Sequence, residues 1–157
     1  MHQACRTLNR FHFLAPLVLR VVIGALFIWH GIDKFDAGIS MIEDMFTMWG
    51  VPAPALTAPL VAVIEIVAGL ALVLGVGTRI AAVLLGAVMV GSLLYVKLDL
   101  GLIADGPMPG AELDLSLLAG LVALVVLGPG RLSGDQMMGI EPAEGVAQGE
   151  PAQAVHG

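Results

Sequence analysis

The chain has 157 residues, of which 58% are hydrophobic and only 13% charged, and its mean hydropathy is +0.94. Soluble domains are roughly half apolar and a quarter charged, so this composition excludes an ordinary water-soluble protein and predicts an integral membrane protein. The net charge of −6 is uneven and no basic stripe is present, which argues against a nucleic-acid partner.

Four apolar segments approach the ~20 helical residues that cross a ~30 Å hydrocarbon core. They are residues 14–35, 57–76, 79–100 and 112–128. The first could be mistaken for a signal peptide, but no Ala-x-Ala-like cleavage site follows it and further spans come after it. The sequence therefore predicts an all-α, four-helix membrane bundle at 14–130, between an N-terminal arm (1–13) and a disordered tail (131–157).

The connection between the first two spans has the pattern of a short amphipathic helix. Apolar residues recur there at helical spacing, with Glu43 and Asp44 opposite them; they are Ile39, Ile42, Met45, Phe46 and Trp49. This pattern predicts a helix that lies at the membrane interface, with the tryptophan as an anchor.

Glycine and proline mark the ends of the later spans. Gly75, Gly77 and Thr78 predict a tight turn, because glycine permits a left-handed cap and threonine can open the next helix. Spans two and three are then an antiparallel hairpin. A Gly- and Pro-rich loop at 101–112 joins spans three and four, and GPGR at 128–131 ends the fourth span.

Lysine and arginine near the span ends predict the orientation. Arg79 and Arg131 fall on one side with the arginines of the N-terminal arm, whereas Lys34 and Lys97 fall on the other. Because positive charge concentrates in short cytoplasmic loops, both termini are predicted to be cytoplasmic, in a multi-pass protein of the plasma membrane.

Ionisable residues inside the spans are the most informative positions, since each costs at least ~2.5 kcal/mol to insert and needs a partner, a watery cavity or a route to the interface. In span one, charges and small residues share one helical stripe, with His30 beside it: Arg20, Gly24, Phe27, Gly31 and Lys34. Span two repeats the spacing: Glu65, Gly69, Leu72, Val76 and Arg79. The glycines suit close helix packing, and either an internal repeat or chance explains the similarity.

Depth along the helices places several of these side chains near one level. At ~1.5 Å per residue, His30 lies ~7 Å below the outer end of span one and Glu65 ~12 Å below the outer start of span two. We therefore predict an outward-facing polar pocket formed by His30, Lys34, Glu65 and Glu112. A purely structural role, in which ion pairs hold the helices in register, is an equal alternative. Arg20, nearer the cytoplasmic boundary, can extend toward lipid phosphate.

The motifs that the chain lacks limit its chemistry. There is no Cys-x-x-Cys, phosphate loop or nucleophile elbow. Its one cysteine, Cys5, allows neither an intrachain disulfide nor a cysteine-based metal cage. Only His30 among the histidines lies within a span, so neither haem nor a metal is expected.

The order and spacing of these motifs resemble the DoxX family of small four-helix membrane proteins. The resemblance covers about residues 14–135 and rests on four segments: RVVIGALFIWHGIDKF, EIVAGLALVLGVGTRIAA, GAEL and GPGRLSGD. The chain departs from the family pattern at Ala68-Gly69, where paired glycines are frequent, and at Gly134, where a larger apolar residue is usual.

The resemblance implies a role in redox chemistry. The family is named after a subunit associated with thiosulfate:quinone oxidoreductase, and relatives are linked to membrane oxidoreductase assemblies and to thiol or oxidative-stress handling. It implies a quinone cofactor, with Glu65 or His30 relaying protons and Lys34 polarising a quinone carbonyl or attracting an anionic donor. Glu112 and Arg20 would contribute to substrate or quinone binding. A quinone brings its own redox group, so the chain need only bind and protonate it.

Two other functions remain open. The chain could be a non-catalytic membrane scaffold for soluble redox or sulfur-transfer proteins, with a purely structural pocket. It could also be a small-solute transporter that carries an anion or weak acid past Lys34 and Arg20. Four short spans make a narrow bundle, so transport would require a homo-oligomer.

Overall fold

The computed structural model describes residues 14–97, 101–103, 110–130 and 132–139. The helices are α1 (Leu14–Ala37), α2 (Ile39–Met48), α3 (Pro54–Leu74), α4 (Thr78–Ser92) with a π-helical turn (Leu93–Lys97), α5 (Ala111–Leu127) and α6 (Gly134–Met137). No strand occurs in these residues, which confirms the all-α class for them. The predicted N-terminal arm and the tail from residue 140 onward lie outside the described residues.

Among the described residues, three helices are long and apolar enough to cross a membrane, namely α1, α3 and α4 with its π-helical turn. α5 is also apolar but has only 17 residues. The outward faces carry large apolar side chains: Val18, Val22, Trp29, Leu60, Val67, Leu74, Ile80 and Val83. A soluble protein has the opposite distribution, with charged side chains outside and apolar side chains inside. The outward face of this bundle therefore fits a surface in contact with lipid.

α1 and α3 pack closely because glycines line their contact. A Cβ added at Gly24 would lie 2.6 Å from the Gly69 carbonyl oxygen, and one added at Gly69 would lie 2.8 Å from the Gly24 carbonyl oxygen. The two backbones therefore touch where neither residue has a side chain. The predicted use of these glycines in helix packing is confirmed.

The two stripes differ in how much of each is buried. On α1 the stripe is buried from Arg20 to Gly31. On α3 its first three residues are buried, whereas Val76 and Arg79 lie beyond the helix and are exposed. These two residues lie outside α3 because Gly75, at φ +70°, ends the helix at the predicted turn.

The turn between α3 and α4 is capped from a distant part of the chain. Thr78 begins α4 as predicted, and no side chain within the turn caps the helix. Instead, the Asp135 carboxylate accepts hydrogen bonds from the backbone N–H groups of Gly77 (2.7 Å) and Thr78 (3.0 Å). A carboxylate at a helix N-terminus satisfies free N–H groups and interacts favourably with the helix dipole.

This contact corrects the predicted disorder of 131–157 over its first residues. The segment 132–139 contains α6, and the Asp135 N–H donates to the Gly75 carbonyl at 2.8 Å. Sequence reasoning missed the segment because polar contacts hold it and its apolar residues show no helical period. A Cβ added at Gly134 would lie 2.6 Å from the Val76 side chain in the α3–α4 turn. The larger residue that is usual in the family would therefore require Val76 or α6 to move.

Candidate functional site at the polar end of the bundle

The bundle has two chemically different ends. The polar end comprises the C-terminal part of α1, the part of α3 around Glu65, the π-helical turn and the start of α5. The turn end comprises the α3–α4 turn and α6. The four residues of the predicted pocket, His30, Lys34, Glu65 and Glu112, lie at the polar end.

A buried ion pair joins α1 to α3 at the polar end. The Lys34 ammonium donates to both carboxylate oxygens of Glu65, at 2.9 Å (Oε1) and 2.7 Å (Oε2). The Glu65 side chain is 3% exposed and that of Lys34 21%, so the carboxylate lies inside and the cation reaches the bundle edge. A buried carboxylate without a partner is costly, and Lys34 compensates its charge.

A glycine on α1 positions this pair. A Cβ added at Gly31 would lie 2.8 Å from the Ala62 carbonyl oxygen and 3.2 Å from the Glu65 Cβ. The two helices are therefore in close contact about one turn before Lys34. This close approach lets the lysine side chain span the remaining distance to the carboxylate.

His30 stands next to the ion pair without joining it. It is half-buried, and Lys34, Lys97 and Asp114 lie within electrostatic range of its imidazole. Among the hydrogen bonds of the described residues, none links His30 to Glu65. The two residues share the polar end as predicted, but Lys34 is the direct partner of the carboxylate.

Lys97 turns inward because of the π-helical turn. The inward face of α4 includes Leu85 and Met89, and an unbroken α-helix would next bring Val96 inward, since seven residues make about two turns. The π-helical turn adds one residue at this point, and Lys97 is buried instead. The sequence predicted that Lys97 lies on the same side of the membrane as Lys34, but helical periodicity gave no sign that it faces the interior.

α5 contributes two carboxylates in its first turn. Asp114 is 5% exposed and begins the inward stripe that continues at Leu117 and Leu121. Its Oδ2 is buried and has no hydrogen-bond partner within the described parts of the chain. Glu112 Oε1 accepts from the N–H of Gly110, the residue before the helix, at 3.3 Å, and Glu112 Oε2 is buried without a hydrogen-bond partner in the described residues. Asp114, which the prediction left out of the pocket, lies deeper.

Arg20 lies at the turn end, about 21 Å along α1 from Lys34 at ~1.5 Å per residue. It is 1% exposed, and its guanidinium donates to the Leu132 carbonyl, packs against Gly75 and lies within electrostatic range of Asp135. Protein therefore encloses the side chain that was expected to extend toward lipid phosphate. Arg20 is separate from the polar end.

All four long helices place an ionisable side chain at the polar end: Lys34, Glu65, Lys97 and Asp114. Two of these side chains are basic and two are acidic, and His30 lies nearby. Such groups can donate hydrogen bonds and hold protons inside an apolar bundle. In the part of the chain that the structure describes, no three His, Cys, Asp or Glu side chains form a metal-binding group.

Together these features define a small helical membrane protein with ionisable side chains buried between its helices. The chain belongs to the DoxX family, whose profile matches residues 15–98, more than half of the chain. This confirms the family resemblance seen in the sequence. The match includes Lys34, Glu65 and Lys97, whereas Glu112 and Asp114 lie beyond it.

Two curated relatives cover most of the chain. One is Uncharacterized membrane protein Rv3486 of Mycobacterium tuberculosis, 37% identical over 130 residues, which are 78% of this chain and 80% of the relative. The other is Putative oxidoreductase CatD of Bacillus subtilis, 29% identical over 137 residues, which are 86% of this chain and 90% of the relative. No solved structure matches the chain.

Proposed function

We propose that this protein is the membrane subunit of a quinone-linked oxidoreductase assembly that acts on thiosulfate or in thiol or oxidative-stress chemistry. The observation that carries the proposal is the Lys34–Glu65 pair inside an apolar bundle, with His30 beside it. Intramembrane ionisable residues mark functional sites by default. The name of the Bacillus subtilis relative supports a redox role.

The polar end fits a quinone. A quinone carbonyl needs a hydrogen-bond donor, and the Lys34 ammonium lies at the bundle edge where a ligand from the membrane can reach it. Ile32 and Phe35, which neighbour Lys34 along α1, are exposed apolar side chains and suit a hydrophobic ring. When bound, the quinone supplies the electron-accepting chemistry, and the protein supplies orientation and protons.

The proposal assigns a role in quinone binding or proton transfer to each residue of the predicted pocket. Lys34 orients the ring through one carbonyl, and Glu65 holds the lysine in place through two hydrogen bonds. Glu65 and His30 hold and pass protons at the ligand. Glu112 stands at the start of α5 as an entrance contact. Arg20 has no part in quinone binding under this proposal, because it lies at the turn end.

The proposal includes four spans and two cytoplasmic termini, with the membrane domain at 14–130. The 17 residues of α5 reach the lower end of the range for spanning helices, and its inward leucines pack into the same core as α1 and α4. In the sequence, four arginines flank the span ends on the side of the turn end (Arg6, Arg10, Arg79 and Arg131), against Lys34 and Lys97 on the other side. This excess favours a cytoplasmic turn end in a plasma-membrane protein.

Cys5 can report this orientation because it is the chain's one cysteine. A membrane-impermeant maleimide is expected to label it only after the membrane is opened. In a C5S/S40C variant, the new cysteine replaces an exposed residue of α2 and is expected to react in intact cells. Labelling of Cys5 in intact cells would contradict the proposed topology.

Quinone binding tests the role of Lys34. Isothermal titration of the purified full chain in mild detergent with a short-chain benzoquinone is expected to show binding. Lys34→Gln is expected to weaken it by roughly tenfold, because a hydrogen bond from a charged donor is lost. Lys34→Arg, which keeps the cation, is expected to weaken it less, and Arg79→Gln at the turn end is the matched control.

Two outcomes would count against the proposal. One is a wild-type protein that neither binds the quinone nor carries any quinone through purification, as shown by mass spectrometry. The other is a stable complex with soluble redox proteins that forms equally well with Glu65→Gln and His30→Gln, without quinone reduction. That second result would favour a membrane scaffold.

A further inference from the structure

Asp114 is a buried carboxylate to which the proposed redox role gives no task. One of its oxygens, Oδ2, is buried and has no hydrogen-bond donor within the described residues. Leaving a buried acceptor unpaired destabilises the folded protein. An apolar residue would continue the leucine stripe of α5 without that cost, so the carboxylate calls for a functional explanation.

The start of α5 does not use this carboxylate as a cap. The first backbone N–H groups of the helix, from Ala111 and Glu112, donate to the carbonyls of Gly101 and Leu102, each at 3.1 Å. Oδ2 of Asp114 is therefore available to a donor from outside the helix.

The position of Asp114 places it near the proposed ligand. It lies on the inward stripe of α5, and both it and Lys97 are within electrostatic range of His30. His30 precedes Lys34 by one turn of α1. A ring held by Lys34 at the polar end would thus have a cationic donor on one side and an unpaired carboxylate acceptor on another.

We propose that Asp114 Oδ2 accepts a hydrogen bond from a phenolic O–H of the ring in its reduced, quinol form. The inference rests on the proposed function, from which it takes the class of ligand. A quinone offers only carbonyl acceptors, which an unprotonated carboxylate cannot bind, whereas a quinol offers two O–H donors. Lys34 can donate to an oxygen of either form. Asp114 therefore favours the reduced ligand.

Comparing the two redox forms of one ring tests this role. Binding of a short-chain quinol, the matching quinone and the quinol dimethyl ether is measured anaerobically on the full chain in mild detergent. Asp114→Leu extends the leucine stripe and is expected to weaken quinol binding by roughly tenfold or more, with little change for the quinone. Asp114→Asn keeps a neutral acceptor and is expected to fall between. Asp44→Asn, on the exposed surface of α2, is the matched control.

Each outcome decides the question. An unchanged quinol affinity in Asp114→Leu, or equal losses for quinol and quinone, would overturn the role of Asp114 and leave quinone binding by Lys34 intact. A wild-type protein that binds neither form would overturn the proposed function and this inference with it. If Asp114→Leu fails to fold, the wild-type protein decides, because equal affinity for the quinol and its dimethyl ether would exclude an O–H contact.

Discussion

Replacing Lys34 by methionine is expected to lower the free energy of unfolding by about 3–5 kcal/mol, because the substitution leaves a buried carboxylate without its cation. The Glu65 side chain is 3% exposed and both of its oxygens accept hydrogen bonds from Lys34. Unfolding in mixed micelles, followed by far-ultraviolet circular dichroism, measures the change. Arg79→Met, which removes an exposed cation, is expected to cost less than about 1 kcal/mol.

A double variant separates stability from function at this pair. Lys34→Met combined with Glu65→Leu removes both charges and is expected to recover most of the lost stability, since apolar replacements of a buried ion pair are often neutral or stabilising. If this stable variant no longer binds quinone, the pair serves the ligand as well as the fold. If Lys34→Met alone is no less stable than Arg79→Met, the Lys34–Glu65 pair contributes little to the free energy of unfolding.

Replacing Asp135 by alanine is expected to lower the free energy of unfolding by about 1–3 kcal/mol, in part because the buried Arg20 loses a nearby negative charge. The change also removes the two hydrogen bonds that Asp135 accepts from Gly77 and Thr78 at the start of α4, and loss of such a cap alone costs about 0.5–2 kcal/mol. The same micelle unfolding experiment measures the effect.

A residue of the same short helix provides the control. Met137 is 90% exposed, so Met137→Ala is expected to leave stability nearly unchanged. Limited proteolysis gives a second measurement, because release of α6 from the α3–α4 turn is expected to make residues 132–139 easier to cleave. Equal stability of Asp135→Ala and Met137→Ala would contradict the structural role assigned to Asp135.

The candidate site was predictable in part. Sequence reasoning placed His30, Lys34 and Glu65 at one level because each lies on a helix whose ends could be identified. It placed both Glu112 and Asp114 toward the outer mouth but named only Glu112 as a pocket residue. Two residues in one helical turn differ in direction, and the docking angle of α5 makes Asp114 the more deeply buried. The grouping of Arg20 with the ligand-binding residues came from family resemblance, whereas the structure places that side chain at the other end.

The sequence by itself determined what depends on neighbouring residues. Apolar length identified the membrane protein and the helix ends, glycine spacing identified the packed face of α1, and Gly75 identified the turn after α3. These features are local because helix formation and termination involve residues within a few positions of each other.

Only the tertiary structure decided which distant groups meet. It paired Lys34 with Glu65, brought Asp135 to the start of α4 and turned Lys97 inward through an inserted residue. Such contacts depend on how the helices dock and where their regular period is interrupted, and neither can be read from spacing along one helix.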